Sequence, residues 1–344
     1  MLNQYIVESS DKILNALKKI NSKDNAKTKT LLVSEDNRII GTITDGDIRR
    51  GILNGSDISG PVKTFINKNF KFFENQVDLD KLIDFRLSNL KLIPILDKQR
   101  KIIDLIDLSK IITKLPLTAV IMAGGLGSRL GSLTKNIPKP MLKVAGKPML
   151  EYNIDKLIKY GIKEVIISVN YLKDQIIKYF GDGSEKGISI SYLEEKKPLG
   201  TAGSLSLLKE FSNDTILLVN SDILSDINFE NFYLHHNLNK VSMTVLTTEY
   251  SSNIPYAVLE TEKEKVIGFN EKPSLKFNIN GGIYLIDKKV LSLIPKDSFF
   301  DSTDLMTKML ERKDLNHFTH TGFWTDIGKK EDFERADIYV KNKK

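Results

Sequence analysis

Apolar positions in the first third of the chain follow two short-range rhythms. Leu14, Leu17 and Ile20 recur at helical spacing after Asp11 and predict an amphipathic helix. Residues 30–34, TLLVS, predict a strand, Glu35-Asp36-Asn37 a turn, and residues 38–44 the returning arm of a hairpin, with a helix starting near Asp45. About sixty residues later the order recurs. Leu79, Leu82 and Ile83 suggest a helix, residues 92–96 a strand, Asp97-Lys98-Gln99 a turn and residues 101–106 a returning strand. Two similar α+β halves are expected.

From residue 118 the rhythm changes to unbroken apolar runs. Residues 118–122, 165–169 and 215–220 read as strands buried on both faces, and residues 188–192 as a further strand. Between them, Leu150, Ile154, Leu157 and Ile158 mark one face of a helix ended by Gly161, and a second helix is expected over residues 173–180. This alternation implies an α/β domain with a mostly parallel sheet, right-handed crossovers and ligands beyond the strand C-termini.

At 344 residues, 41% of them hydrophobic, the chain is long enough for two domains, expected at 1–115 and 116–344. No cysteine is present, which excludes disulfides, thiolate metal sites and cysteine nucleophiles. The histidines, at 235, 236, 317 and 320, match no zinc spacing. The net charge of +7 is spread thinly, without a basic stripe that would suit nucleic acid. With neither a leader-like N-terminus nor an apolar run approaching ~18 residues, a cytoplasmic protein with no membrane partner is expected.

The first apolar run of the second domain empties into Ala123-Gly124-Gly125-Leu126-Gly127-Ser128-Arg129. Glycines let a phosphate approach backbone N–H groups, and Arg129 adds a fork of donors suited to its oxygens. It is not a dinucleotide fingerprint, since Gly131 comes one residue late, and no Gly-Lys-Ser/Thr completes a P-loop. A Rossmann-type oxidoreductase is thereby excluded. Asp222, just past the strand ending at Asn220, is placed to bind Mg²⁺ or, more plainly, to cap a helix.

Taken together, G-G-x-G-x-R-L at 124–130, Leu133-Thr134 and Pro138-Lys139-Pro140-Met141 resemble the signature of sugar-1-phosphate nucleotidyltransferases. The resemblance continues in order through the second domain. Residues 194–203, EEKKPLGTAG, are similar to the family's base-reading loop. Ser221-Asp222 stands where the family has glycine and aspartate; Phe269 to Pro273 resembles F-x-E-K-P, Asn280 to Tyr284 resembles N-x-G-I-Y, and Trp324 to Asp332 resembles W-x-D-I-G-x-x-E-D. The resemblance implies a Rossmann-like, GT-A-type mixed sheet. It further implies a nucleotide held by Ala123, Gly124, Gly125, Gly127, Ser128, Glu195, Pro198, Gly200 and Thr201, and a sugar contacted by Glu271, Asn280 and Gly282. Asp222 and Asp326 would bind Mg²⁺, while Arg129, Lys139 and Lys272 would meet the phosphates. The expected partners are a nucleoside triphosphate and a sugar 1-phosphate. A carboxylate at Glu195 suits guanine, whose edge offers two adjacent donors, although the Glu-Glu-Lys-Lys run also reads as a solvated turn.

The N-terminal repeat resembles a tandem of CBS modules, with Gly41, Ile43, Thr44 and Asp47 forming G-x-I-T-x-x-D. Thr44 and Asp47 would then hold a regulatory purine nucleotide; at the equivalent positions of the second copy stand Asp104, Ile106, Asp107 and Lys110. Alternatively the pair is only an assembly platform, and a homo-oligomer is expected. A CBS pair joined to a transferase resembles the guanylyltransferases of bacterial legionaminic acid biosynthesis, which implies glucosamine 1-phosphate as substrate, with mannose 1-phosphate as the alternative. Uridylyl or thymidylyl transfer to another hexose phosphate, and a nucleotide-sensing protein with an inactive transferase module, are the remaining alternatives.

Overall fold

The computed structural model describes residues 2–22 and 27–342. The chain divides into two compact units, residues 1–115 with 159–161 and residues 116–158 with 162–344.

The first unit contains the repeat. Its first half is β1 (Ile6–Glu8), α1 (Ile13–Ile20), β2 (Thr30–Glu35), β3 (Arg38–Thr44) and α2 (Asp45–Leu53); its second is β4 (Phe73–Glu74), α3 (Leu79–Leu87), β5 (Leu92–Leu96) and β6 (Ile102–Asp107). Each half forms a three-stranded sheet in which the first two strands run parallel and the last two form an antiparallel hairpin. The halves differ after the hairpin. Thr44 and Asp47 form a reciprocal capping box that starts α2, each side chain accepting from the other's backbone N–H. Asp107 and Lys110 cannot do the same, because an ammonium is no acceptor. There the chain turns, with Asp107 Oδ1 accepting from Ser109 N at 2.9 Å and Oδ2 from the Tyr5 hydroxyl at 2.8 Å.

The buried face of α1 differs from the expected one. Ile13, Ala16 and Ile20 are buried with Leu17 packed beside them, whereas Leu14 is 56% exposed. Ile13 and Ala16 extend the i, i+3, i+4, i+7 stripe of Leu17 and Ile20 around the helix, and Leu14 falls outside it, beyond its Leu17 edge.

In the second unit, β7 (Leu117–Met122) is followed by a small hairpin, β8 (Lys143–Val144) and β9 (Lys147–Pro148), then α4 (Met149–Lys159), β10 (Glu164–Val169), α5 (Lys173–Phe180), β11 (Ser189–Glu194) and the single turn α6 (Gly200–Gly203). Next come β12 (Thr215–Asn220), β13 (Ile223–Ser225), α7 (Phe229–Asn239), β14 (Met243–Asn253), β15 (Val258–Glu262), β16 (Lys265–Asn270) and β17 (Ser274–Asp287). The unit closes with α8 (Ser302–Glu311), β18 (Leu315–His320), β19 (Trp324–Asp326) and α9 (Lys330–Asn342).

Seven strands make one sheet, β11-β10-β7-β12-β17-β14-β18, in which β17 alone runs against the rest. The unbroken apolar runs occupy its buried middle: Val120, Ile166, Ile216, Leu218, Tyr284 and Ile286 share a core with Leu305 and Met309 of α8. β14 and β17 continue past the sheet as a two-stranded ribbon, carried on by the β15–β16 hairpin. On it Tyr250, Leu259, Phe269 and Phe277 are exposed. Among the described residues no helix is long and apolar enough to cross a membrane.

The α1 face gives a direct test. Ile13→Ala is expected to destabilise the chain by about 2–4 kcal/mol through an unfilled cavity, and Leu14→Ala by less than about 0.5 kcal/mol, read from urea unfolding of the full-length protein.

Candidate active site

The parallel register sets the C-termini of β11, β10, β7 and β12 side by side, and the loops that leave β7, β11 and β12 line a cavity of about 350 Å³. The glycine loop follows β7. Gly127 is left-handed (φ +65°), and a Cβ on it would lie 2.9 Å from Thr134 Cγ2 and 3.1 Å from Lys139 Cβ. Thr134 ties the loop down by donating its hydroxyl to the Gly127 carbonyl at 2.9 Å. Only glycine fits this seam, which draws Lys139 to the loop.

Asp222 and Asp326 come from opposite ends of the unit's sequence. Antiparallel pairing of β13 with β19 sets Ile223 opposite Asp326, and Ile327 N donates to the Asp222 carbonyl at 3.0 Å. The buried ammonium of Lys139 bonds Asp222 Oδ2 and lies 3.8 Å from Asp326 Oδ1. Burial first, and the Asp222 charge second, push the Asp326 carboxyl above the usual carboxylate range, against the pull of Lys139 and Arg129. Its Oδ1 is buried without a hydrogen-bond partner. Arg129 packs its guanidinium on Gly328, where a Cβ would be 3.3 Å from Nη1. Ser221 is accommodated because its φ is not positive. Among the described residues no group of three or more His, Cys, Asp or Glu forms a metal cluster. Two hard carboxylates and an orphaned oxygen still fit Mg²⁺, which takes one or two protein carboxylates together with phosphate oxygens.

Of the expected site residues, Gly124, Gly125, Arg129, Lys139, Glu195, Pro198, Gly200, Thr201, Asp222 and Asp326 line the cavity, and Gly127 and Ser128 line the one adjoining it. Ala123 does not; it is buried and donates its N–H to Ser168 O at 2.9 Å, extending the sheet. Thr201 faces the cavity, but its N–H and hydroxyl are engaged by Asp301 and Ser302. Gly200 (φ +79°) lies against the next segment, a Cβ there being 2.7 Å from the Phe300 carbonyl. Asn280 donates to the Tyr284 hydroxyl at 2.8 Å and accepts from Gly282 N at 3.0 Å, while Gly282 packs on Asn220. These two brace the cavity wall from behind. Glu271 and Lys272 are exposed on the ribbon and line neither cavity. The two glutamates of the 194–203 loop part company: Glu194 pairs with Lys173 at the surface, and Glu195 is half-buried against Ser168 and Leu199 N.

Asn220 and Phe299 are among the lining residues that sequence reasoning missed. Asn220 has an Oδ1 that is buried and unpartnered, and its position at the C-terminal end of β12, two before Asp222, was the available signal. Phe299, 64% exposed, stands at the mouth, and nothing in its local sequence marks it.

In the first unit a separate cavity of about 510 Å³ is lined by Thr44, Asp47, Arg50, Asn67, Phe70 and Lys71, among others. The Asp47 carboxylate there already serves the capping box and meets Arg50 at 2.5 Å.

A nucleotidyl transferase family model matches residues 118–343, and a CBS domain model matches residues 2–54. The mannose-1-phosphate guanyltransferase beta-A of Xenopus laevis is 33% identical over 225 residues, which are 63% of this chain and 62% of that protein. The chain thus spans less than two thirds of that relative's length. A Bacillus anthracis structure provisionally named a glucose-1-phosphate thymidylyltransferase superposes with a TM-score of 0.54 at 28% identity, covering 66% of this chain and 96% of its own. HddC from Yersinia pseudotuberculosis, in complex with GMP-PN, superposes with a TM-score of 0.52 at 25% identity, covering 65% and 99%.

The carboxylate pair carries a stability signature. Because the Asp326 carboxyl is raised, the folded state loses stability as pH climbs from the ordinary carboxylate range through the raised value. Asp326→Asn is therefore expected to raise the melting temperature in chelator at pH 7 by about 1–3 °C, a modest gain because solvent screens the pair. The gain should shrink toward pH 4 in calorimetric scans.

Proposed function

We propose that this chain, which belongs to the nucleotidyl transferase family, joins a nucleoside triphosphate to a sugar 1-phosphate, giving a nucleoside-diphosphate sugar and pyrophosphate, with GTP as the preferred donor. The observation that carries the reading is the Asp222–Lys139–Asp326 cluster, set beside the glycine loop and Arg129 in one cavity. Such a reaction brings a dianion against a polyanion, and two unit charges about 4 Å apart at an effective dielectric of about 20 repel by about 4 kcal/mol. Positioned cations are what the chemistry needs, and this cavity is lined by them.

In the proposed step an oxygen of the sugar phosphate attacks the α-phosphorus, the new P–O bond forms, and the bond to the β-phosphate oxygen breaks with its electrons leaving on pyrophosphate. Asp222 and Asp326 would hold Mg²⁺, which when bound neutralises the phosphates and polarises the α-phosphorus. Arg129, fixed on Gly328, meets the charge that develops on pyrophosphate. Lys139 balances the carboxylates and stands within reach of the attacking phosphate. Lys272 would have to approach with the ribbon to touch the sugar phosphate. The step requires neither a protein nucleophile nor a general base.

For the sugar, the joining of a CBS-like repeat to the transferase favours glucosamine 1-phosphate. Mannose 1-phosphate is the second reading, favoured by the names of the curated relatives. Four NTPs tested against a few sugar 1-phosphates, scored by pyrophosphate release, decide both base and sugar; better use of UTP or dTTP than GTP would overturn the base assignment. Asp222→Asn is expected to leave the fold intact and reduce kcat by at least about a hundredfold, since a neutral amide is a poor ligand for a hard cation.

The cavity of the first unit is proposed to bind a purine nucleotide, with Asp47 sharing its carboxylate between Arg50 and a ribose hydroxyl. Titration calorimetry of the full chain with AMP, ATP, GMP and GTP should then give a binding isotherm that Asp47→Ala weakens by about tenfold or more. Absence of any isotherm favours an assembly platform.

A further inference from the structure

We propose that Ser168 is a positioning residue for base selection, its buried hydroxyl fixing the Glu195 carboxylate in the one orientation that accepts guanine. The inference deepens the function proposed above and rests on Glu195 being the group that meets the base. Ser168 is fully buried near the C-terminal end of β10 and donates to Glu195 Oε1 at 2.6 Å. Leu199 N donates to Oε2 at 3.0 Å from the other side, and the Asn170 amide holds the Glu195 carbonyl at 2.8 Å. The backbone is pinned as well, Glu195 N donating to Val169 O at 3.0 Å.

An ionised carboxylate has about four acceptor positions, two on each oxygen. Ser168 occupies one on Oε1 and the Leu199 N–H one on Oε2. One remains on each oxygen, and guanine presents two adjacent donors, N1–H and the N2 amine. Uracil and thymine set a single N–H between two carbonyl oxygens, which a carboxylate held at that angle repels. The last torsion of a glutamate is soft, so without a donor on Oε1 the group can turn and the geometric match is lost while the charge remains. Gly124 completes the arrangement. A Cβ there would lie 3.0 Å from Oε1, so the first glycine of the phosphate loop and the carboxylate share one wall. The base reader is thereby fixed against the element that holds the phosphates.

The test compares kcat/KM for GTP and UTP in the wild type, Ser168→Ala, Ser168→Cys, Glu195→Gln and the Ser168→Ala/Glu195→Gln double variant. Ser168→Ala is expected to lower the GTP-to-UTP ratio about tenfold, mainly through KM for GTP. Ser168→Cys, with a weaker donor of similar size, should fall between the two. The double variant should be no less selective than Glu195→Gln alone, because a residue that acts through another adds nothing once that other is gone. A ratio unchanged by Ser168→Ala or Ser168→Cys while Glu195→Gln lowers it overturns the positioning role and leaves the base reading standing. Additive losses in the double variant also overturn it. A wild type without preference for GTP, or a Glu195→Gln variant as selective as the wild type, overturns the base reading and this inference with it.

Discussion

Two carboxylates within reach of one ammonium is the arrangement on which the second unit turns. Asp222 and Asp326 repel each other, and their separation is dictated by a three-residue strand pairing that also buries Ile223 and Ile327. The backbone thus enforces what electrostatics opposes, and Lys139 keeps the opposition tolerable. Lys139 is in turn placed by Gly127, against whose bare Cα its Cβ rests. Glycine loop, lysine and carboxylates consequently form one mechanical piece. Strain of this sort, stored where a ligand would relieve it, is common at functional sites.

The cavity walls show how little of a site needs to touch a ligand. Thr201, Asp301, Ser302, Tyr284 and Asn280 form a continuous run of hydrogen bonds behind the lining. Tyr284 is buried to 1% exposure, and its hydroxyl both donates to Ser302 and accepts from Asn280. Two polar residues that look like substrate contacts in sequence, Thr201 and Asn280, are therefore joined through Ser302 and Tyr284, and Thr201 holds the start of α8 against the turn at Gly200.

Much of the architecture was legible because burial on both faces leaves an unmistakable trace. The apolar runs of β7, β10 and β12 and the compact helix α5 lie where the pattern put them. The face of α1 was not, since an eight-residue helix carrying Ile13, Leu14, Leu17 and Ile20 offers two overlapping stripes, and only packing chooses between them. Glu194 and Glu195 are indistinguishable as letters, and the partners that separate them, Lys173 and Ser168, lie more than twenty residues away. The wall of Thr201 and Asn280 was illegible for the same reason. Its partners are a hundred residues apart for Thr201 and Asp301, a distance over which no local pattern carries information.

The β13–β19 pairing has a consequence in time as well as in space. Asp222 leaves the ribosome about a hundred residues before Asp326, an interval of about 5–20 s at ordinary synthesis rates. During it β7, β10, β11 and β12 are all present and can form their parallel sheet, with Asp222 waiting at its edge. The strand that brings its counterpart, β19, follows only after α8 and β18. A nascent chain therefore acquires its glycine loop and Asp222 about a hundred residues before the strand that completes the charged cluster.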